Sequence, residues 1–355
     1  SRAPGTSSPT IAASWSIWPA VAPMVSVAVL GGDPAQHDYS CSAMSLHLIC
    51  QKLLPKQALT RLAGAGAHRE GGALTQWAIR RFIDHYGVAM QEAANPDPAA
   101  YRTFNDFFTR ALRDGARPLA DAPLICPVDG AVSQLGDIHA GRIFQAKGHQ
   151  YSATALLGGD EALASHFTDG RFATIYLSPR DYHRIHMPCA GQLRQMIHVP
   201  GELYSVSPAT AAGIPGLFAR NERVVCLFDG TFGPWALVLV GATIVGSMAT
   251  VWHGTVNPPR PGRIRRWMYP AGRADGGGDH AIAPRSGVDL ATIGPVLYSG
   301  TVTSEHEPVC LEQGAEMGRF LLGSTVVMLF PQGAPALTTA WQPGQRVRLG
   351  EAMSA

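Results

Sequence analysis

Three short stretches of the 355-residue chain carry side chains whose types and spacing could do chemistry. In MGRFLLGSTVVMLF (317–330), Gly323, Ser324 and Thr325 interrupt two apolar runs; CPVDGAVSQLG (126–136) places Asp129 before a glycine; YLSPRDYHRIHMPCAG (176–191) gathers Arg180, Asp181, His183, Arg184 and His186 within seven residues. Glycine inside a strand pattern reads first as a bulge or bend. The second reading sets Ser324 against the carbonyl of Gly323, for chemistry on the chain itself. Asp129 is a turn signal first and a catalytic carboxylate second. His183 and His186, three apart, share a face of a helix but point to opposite sides of a strand. A metal site there needs a helix or turn and a further ligand motif, and none accompanies them.

The elements that must position these groups follow from pattern. From about residue 120, FATIYLSP, GQLRQMIHVPG, the long stretch 223–254 and STVVMLF are short, rich in Val and Ile, and separated by Gly and Pro, which predicts strands. Residues 224–251 predict a hairpin turning at Asp229–Pro234. The segment 46–87 instead repeats apolar residues at helical spacing around Pro55 and a Gly-rich turn. The fold class expected is α+β: N-terminal amphipathic helices, then a largely antiparallel β catalytic domain. Residues 271–310 are Gly-rich and polar, and read as an inserted loop. The division is thus 1–45 as an extension without an assigned role, 46–118 as a helical membrane-associating region, and 119–355 as the β-rich domain.

Composition narrows the function classes. The chain is 46% hydrophobic and 15% charged, enough to bury a large core. A formal net charge of +2 gives nucleic acid no support. Its six cysteines show no CxxC spacing, so a reducing, cytoplasm-facing location is the default and structural zinc has no motif. Between positions 52 and 81, Lys52, Lys56, Arg61, Arg69, Arg80 and Arg81 face the single acid Glu70, as suits the surface of an anionic bilayer. A solvated helix face packed on the protein's own core fits equally well. Residues 11–30 carry no charge, with fifteen apolar residues in twenty, which is long enough for a span. Pro19, Pro23 and three serines weaken a span, only Arg2 precedes the segment as a leader would need, and membrane contact stays open.

Several blocks in one order, YRTFNDFFTR, PVDGAVSQLG, QAKGHQYS, YLSPRDYHRIHMP, LFARNERV, VGATIVGSM and GRFLLGST, closely resemble bacterial phosphatidylserine decarboxylase proenzymes over about residues 46–270 and 312–332. The resemblance implies a self-cleavage site at Gly323–Ser324. Attack by Ser324 Oγ on the unhindered Gly323 carbonyl breaks the amide and forms an ester, and elimination then leaves dehydroalanine, which hydrolyses to a pyruvoyl group and ammonia. The family's aspartate, histidine and serine match Asp129, His186 and Ser324 here, with the logic of a Ser-His-Asp triad. Chains 1–323 (β) and 324–355 (α) would remain together. The pyruvoyl cofactor would receive the amine of phosphatidylserine and accept the electrons left as carbon dioxide departs. His183 matches the proton donor, an imidazole near its own pKa, and Ser205 matches a substrate-site position. Arg220 and the run Arg260, Arg263, Arg265 and Arg266 could meet lipid phosphate, although a solvated surface or a structural salt bridge explains them as well. Implied with these are an anionic membrane surface at the cytoplasmic face of the bacterial inner membrane, no nucleic acid, and a homodimer as an open option. A membrane-associated serine hydrolase and a non-enzymatic lipid-binding module are the alternatives, although LGST lacks the GxSxG elbow.

Overall fold

The computed structural model describes residues 67–242, 247–256, 262–270, 302–303, 308–321 and 324–354. The extension 1–45, the basic stretch up to 66, Cys41, Cys50, Arg260, Gly323 and most of 271–310 lie outside these residues. Helix α1 (Ala73–Tyr86) ends where Gly87 takes a left-handed conformation, φ 64°. It buries Ile79 and packs Phe82, Ile83 and Tyr86 with Val88, Met90 and Phe107 into a small core of its own. Helix α2 (Phe104–Phe108) starts from a capping box: Thr103 Oγ1 accepts the Asp106 N–H at 3.0 Å, and Asp106 Oδ2 accepts the Thr103 N–H at 3.2 Å. So secured, α2 turns Phe107 into the helical core and Phe108 toward the β region.

The rest is β. Strands β1 (Gly130–Asp137), β2 (Arg142–Ala146), β3 (His149–Ser152), β4 (Arg171–Leu177), β5 (Arg184–His186), β6 (Gly191–Val199), β7 (Arg223–Gly230) and β8 (Gly233–Val240) are followed by β9 (Met248–Thr250) and β10 (Gly254–Thr255). Then come β11 (Arg265–Met268), β12 (Val302–Thr303), β13 (Cys310–Leu311), β14 (Glu316–Phe320), β15 (Ser324–Phe330) and β16 (Arg346–Val347). A large sheet runs β12-β11-β6-β7-β8-β15-β4-β1-β16, with β13 also on β6; a small one runs β10-β9-β14-β5; β2 and β3 form a hairpin. Of the pairings among these strands, only β11 with β12 is parallel. The β7–β8 hairpin turns as the sequence predicts, with Asp229 opposite Pro234. Residues 248–250, expected in the same hairpin, instead cross into the small sheet as β9.

Alternation along the central strands explains their unbroken apolar runs. Val326, Met328 and Phe330 enter one core with Leu237 and Leu239, while Val327 and Leu329 enter the core on the other face with Ala236, Val238 and Val240. Strands buried on both faces need no polar face, so the pattern reads as continuous hydrophobicity.

The order β8-β15-β4 in the large sheet is repeated as β9-β14-β5 in the small one. Three chain segments therefore lie side by side twice (β4 leading to β5, β8 to β9 and β14 to β15), and the boundary between the two sheets is a seam at which Phe320 bonds His183 and Leu321 bonds Ser247. Strand β14 approaches β9 so closely that a Cβ on Gly318 would collide with the Ala249 carbonyl oxygen. Gly318→Ala should therefore destabilise the protein by about 1–3 kcal/mol through overpacking. A lowered denaturant midpoint with an unchanged slope would show this.

Candidate active site at the seam between two sheets

The connection 178–183 is built by a local turn. Ser178 N–H and Oγ–H both donate to Asp181 Oδ2 at 2.7 Å, the Asp181 N–H donates to the Ser178 carbonyl at 3.0 Å, and Arg346 closes an ion pair on Asp181. Asp181 is thus a structural clamp that fixes the approach to His183. The His183 ring is fully buried and stacked on Phe108, 4.0 Å between centroids and 17° between planes. Its Nε2 lies 3.4 Å from the Pro179 carbonyl oxygen. Its Nδ1 is buried with no hydrogen-bond partner among the described residues. Burial pulls its pKa down to about 4, against a smaller upward pull from Asp181. The imidazole near its own pKa expected from the sequence is corrected here: in the free protein His183 is neutral at pH 7.

His186, at the end of β5, is also held in its neutral form, chiefly by burial and against the raising effects of its Gly314 bond and of the charges on Glu316 and Asp129. Its Nδ1 lies 2.7 Å from the Gly314 carbonyl oxygen and its Nε2 3.1 Å from the Tyr182 hydroxyl. A carbonyl only accepts, so Nδ1 carries the hydrogen and Nε2 takes the Tyr182 O–H. The Nε2 lone pair is the basic site of this tautomer.

In a Ser-His-Asp triad the aspartate fixes the histidine tautomer, whereas here the Gly314 carbonyl does so. The Asp129 carboxylate is turned to other donors: Arg117 Nε at 2.9 Å from Oδ1 and 3.2 Å from Oδ2, Arg117 Nη2, and the Leu349 N–H at 2.9 Å from Oδ1. Arg117 also donates to Glu92 Oε2 at 2.7 Å. Asp129 remains the neighbour of His186 through the backbone, because the His186 N–H donates to the Pro127 carbonyl at 2.9 Å.

Around Ser324 the backbone alone is informative. The Phe320 N–H donates to the His183 carbonyl at 3.0 Å, and the Leu321 N–H to the Ser247 carbonyl at 3.1 Å. Ser324 then opens β15 opposite Leu177, the last residue of β4. Only Leu322 and Gly323 separate these two anchored points. Ser324 therefore begins β15 at the seam, beside the end of β4 from which the 178–183 turn leads to His183. Ser205 lies in the segment 203–207, whose Tyr204 carbonyl and the Gly241 carbonyl are joined by the Asn221 amide at 2.8 Å each, which holds it beside Gly241 at the end of β8. Arg220 packs on Tyr204, and Arg266 pairs with Asp160 at 2.7 Å.

Four side chains that shape the site were not singled out in the sequence: Phe108, Tyr182, Arg117 and Glu92. Phe108 had a signal, the T-x-x-D cap that starts α2. Arg117 and Glu92 had none, because their partner Asp129 is distant along the chain.

The family model for phosphatidylserine decarboxylase matches residues 104–355, and a second model, PSD, matches 46–87. The chain belongs to the phosphatidylserine decarboxylase family. It is 60% identical over 308 residues to a phosphatidylserine decarboxylase proenzyme of Azoarcus sp. (strain BH72), an alignment covering 87% of this chain and 95% of the relative. It is 61% identical over 304 residues to that of Acidovorax ebreus (strain TPSY), covering 86% and 95%. A third decarboxylase proenzyme, from Dechloromonas aromatica (strain RCB), is 56% identical over 308 residues, covering 87% and 97%.

Burial of neutral His183 has a measurable sign. Between its unfolded pKa near 6.5 and its folded value of about 4, the unfolded chain binds the extra proton, so stability falls as pH is lowered through that window. The full shift corresponds to about 3 kcal/mol. His183→Phe should flatten the dependence of unfolding midpoint on pH between about 6.5 and 4, read by denaturant titration. An unchanged profile in the variant would show that His183 is not buried neutral.

Proposed function

We propose that this chain is a self-processing phosphatidylserine decarboxylase, converting phosphatidylserine to phosphatidylethanolamine and carbon dioxide with a pyruvoyl group made from Ser324 after cleavage of Gly323–Ser324. The observation that carries this reading is the seam, where β15 opens at Ser324 beside the end of β4, and β4 leads through the 178–183 turn to His183 and to β5, which ends at His186. The hydrolase and lipid-module alternatives have no support in the family the chain belongs to.

In self-cleavage His186 is the base: Nδ1 is committed to Gly314, so the Nε2 lone pair takes the Ser324 hydroxyl proton once Tyr182 gives way. Asp129, clamped by Arg117, contributes negative charge that favours the imidazolium then formed. The fragment 324–355 would stay in place after the cut. Strand β15 is hydrogen-bonded on both sides, to β4 and β8, and β16 to β1.

The seam also suits a reactive carbonyl at position 324. His183 Nδ1 and Thr325 Oγ1 are both buried without partners among the described residues, and this reading gives them a group at 324 and its substrate to engage. When bound, the pyruvoyl group supplies the electron sink for loss of carbon dioxide. His183 then holds and delivers the proton that replaces the lost carboxylate. Because the free ring is neutral, it is charged only when an anionic headgroup comes near and favours the imidazolium. Ser205, in the segment held beside Gly241, is assigned to headgroup contact.

The membrane assignment rests on α1 and the segment before it, within the region 46–118. Leu74 and Trp77 are exposed, the latter 53%, on the helix that also exposes Arg80 and Arg81. Such a mixture suits peripheral attachment to an anionic surface. Among the described residues no helix is long and apolar enough to cross a membrane. The cytoplasmic face of the inner membrane is the location this reading assigns.

The division of labour is tested with phosphatidylserine vesicles and gel analysis of three variants. Ser324→Ala and His186→Ala should remain uncut and release no carbon dioxide. His183→Ala should still cut, yet turn over about 10²–10⁴-fold more slowly, the usual worth of a general acid. If His183→Ala blocks cutting as fully as His186→Ala, the two histidines serve one step and the assignment fails.

A further inference from the structure

Among the described residues, the basic nitrogen of His186 has one partner, the Tyr182 hydroxyl. The hydroxyl lies 3.1 Å from Nε2, and the two rings stand 5.7 Å apart, tilted by 35°. Tyr182 is only 6% exposed, and burial pushes its phenol well above the usual tyrosine range, so it keeps a proton to donate. The chain on either side of it is fixed: Asp181 is clamped by Ser178 and Arg346, and the His183 ring is stacked on Phe108. The imidazole is held from its far side by the Gly314 carbonyl, 2.7 Å from Nδ1.

A neutral imidazole offers one nitrogen as a donor and the other as an acceptor. With the hydrogen on Nδ1, the single acceptor is Nε2, and the Tyr182 O–H already fills it. A serine O–H and the tyrosine O–H therefore compete for one lone pair. We infer that Tyr182 is a positioning residue that latches the base of self-cleavage, occupying His186 Nε2 in the uncut chain so that the Ser324 hydroxyl must displace it before a proton can move. The inference rests on His186 being that base. In the step itself the hydrogen bond from Tyr182 to Nε2 breaks and one from Ser324 forms. The serine proton then passes to Nε2 as the serine oxygen bonds the Gly323 carbonyl carbon, and Tyr182 keeps its own proton throughout. The latch also spares the folded precursor a bare buried acceptor. Once residue 324 has lost its hydroxyl the competitor is gone, and the latch closes again.

The test follows full-length chain made by cell-free synthesis and measures on gels the rate at which it becomes two fragments. Tyr182→Phe keeps the ring and removes the competing donor. It should cut about two- to tenfold faster than wild type, the usual worth of one neutral hydrogen bond. A merely structural Tyr182 would instead lower the melting temperature, compared in the uncuttable Ser324→Ala background, and leave the rate of cutting as it was. If Tyr182→Phe does not fold, 3-fluorotyrosine placed at 182, a stronger donor of nearly the same shape, should cut more slowly than wild type. An unchanged rate in Tyr182→Phe overturns the latch; so does a slower one, which would make the hydroxyl a proton relay. With the fluorinated residue, an unchanged or faster rate overturns it. His186→Ala separates the latch from the base: if that variant cuts, His186 is not the base and the latch falls with it, whereas failure of the latch alone leaves His186→Ala uncut.

Discussion

The structure depends on one constraint: the chain from Glu316 to Phe330 must satisfy its backbone hydrogen bonds in two sheets in succession. Strand β14 lies between β9 and β5, and β15 lies between β8 and β4, which are the chain neighbours of those same strands. Each strand is held on both sides, so Phe320 at the end of β14 and Ser324 at the start of β15 are both fixed. A serine in a free loop would sample many arrangements against its own preceding carbonyl. Here the bonds of Phe320 to His183 and of Leu321 to Ser247 limit the search from one end, and the β15 ladder limits it from the other. Ordering of this kind is how a fold lowers the barrier to a reaction of its own backbone.

Burial sets the electrostatics at the seam. His183 and His186 are both held in their neutral forms chiefly by loss of water, the first under Phe108, the second between Gly314 and Tyr182. Neutral imidazoles suit a sequence of tasks in which one must first accept a proton and the other must acquire one only when substrate arrives. Ionised groups nearby are paired: Asp129 with Arg117, which also holds Glu92; Asp181 with Arg346; and Arg184 with Glu316. The neutral imidazoles thus stand beside charges that balance one another.

Much of this was legible in the sequence, for physical reasons that differ by element. The β-rich character followed from Val- and Ile-rich runs punctuated by Gly and Pro, and the Asp229–Pro234 turn from its residues. The departure of β9 into a second sheet was not legible, because a strand buried on both faces reads the same whichever sheet it joins. The three chemical stretches were visible as oddities of type and spacing, but what each residue bonds was not. Sequence reasoning paired Asp129 with His186, as a triad would, whereas the carboxylate takes Arg117 and Leu349 and a backbone carbonyl fixes the histidine. Arg110 lies within the stretch YRTFNDFFTR, yet the burial of its Nε and Nη1 without partners among the described residues is a property of the fold alone.

The central claim is that the seam makes the chain cut itself at one bond and rebuild residue 324. Intact-mass analysis of the purified protein under denaturing conditions measures this directly. The account predicts a small chain of 32 residues, 324–355, whose mass fits an N-terminal pyruvoyl group in place of serine and which resists N-terminal sequencing. A fully active preparation containing only the uncut chain, or a small chain beginning with an unmodified Ser324, would contradict it.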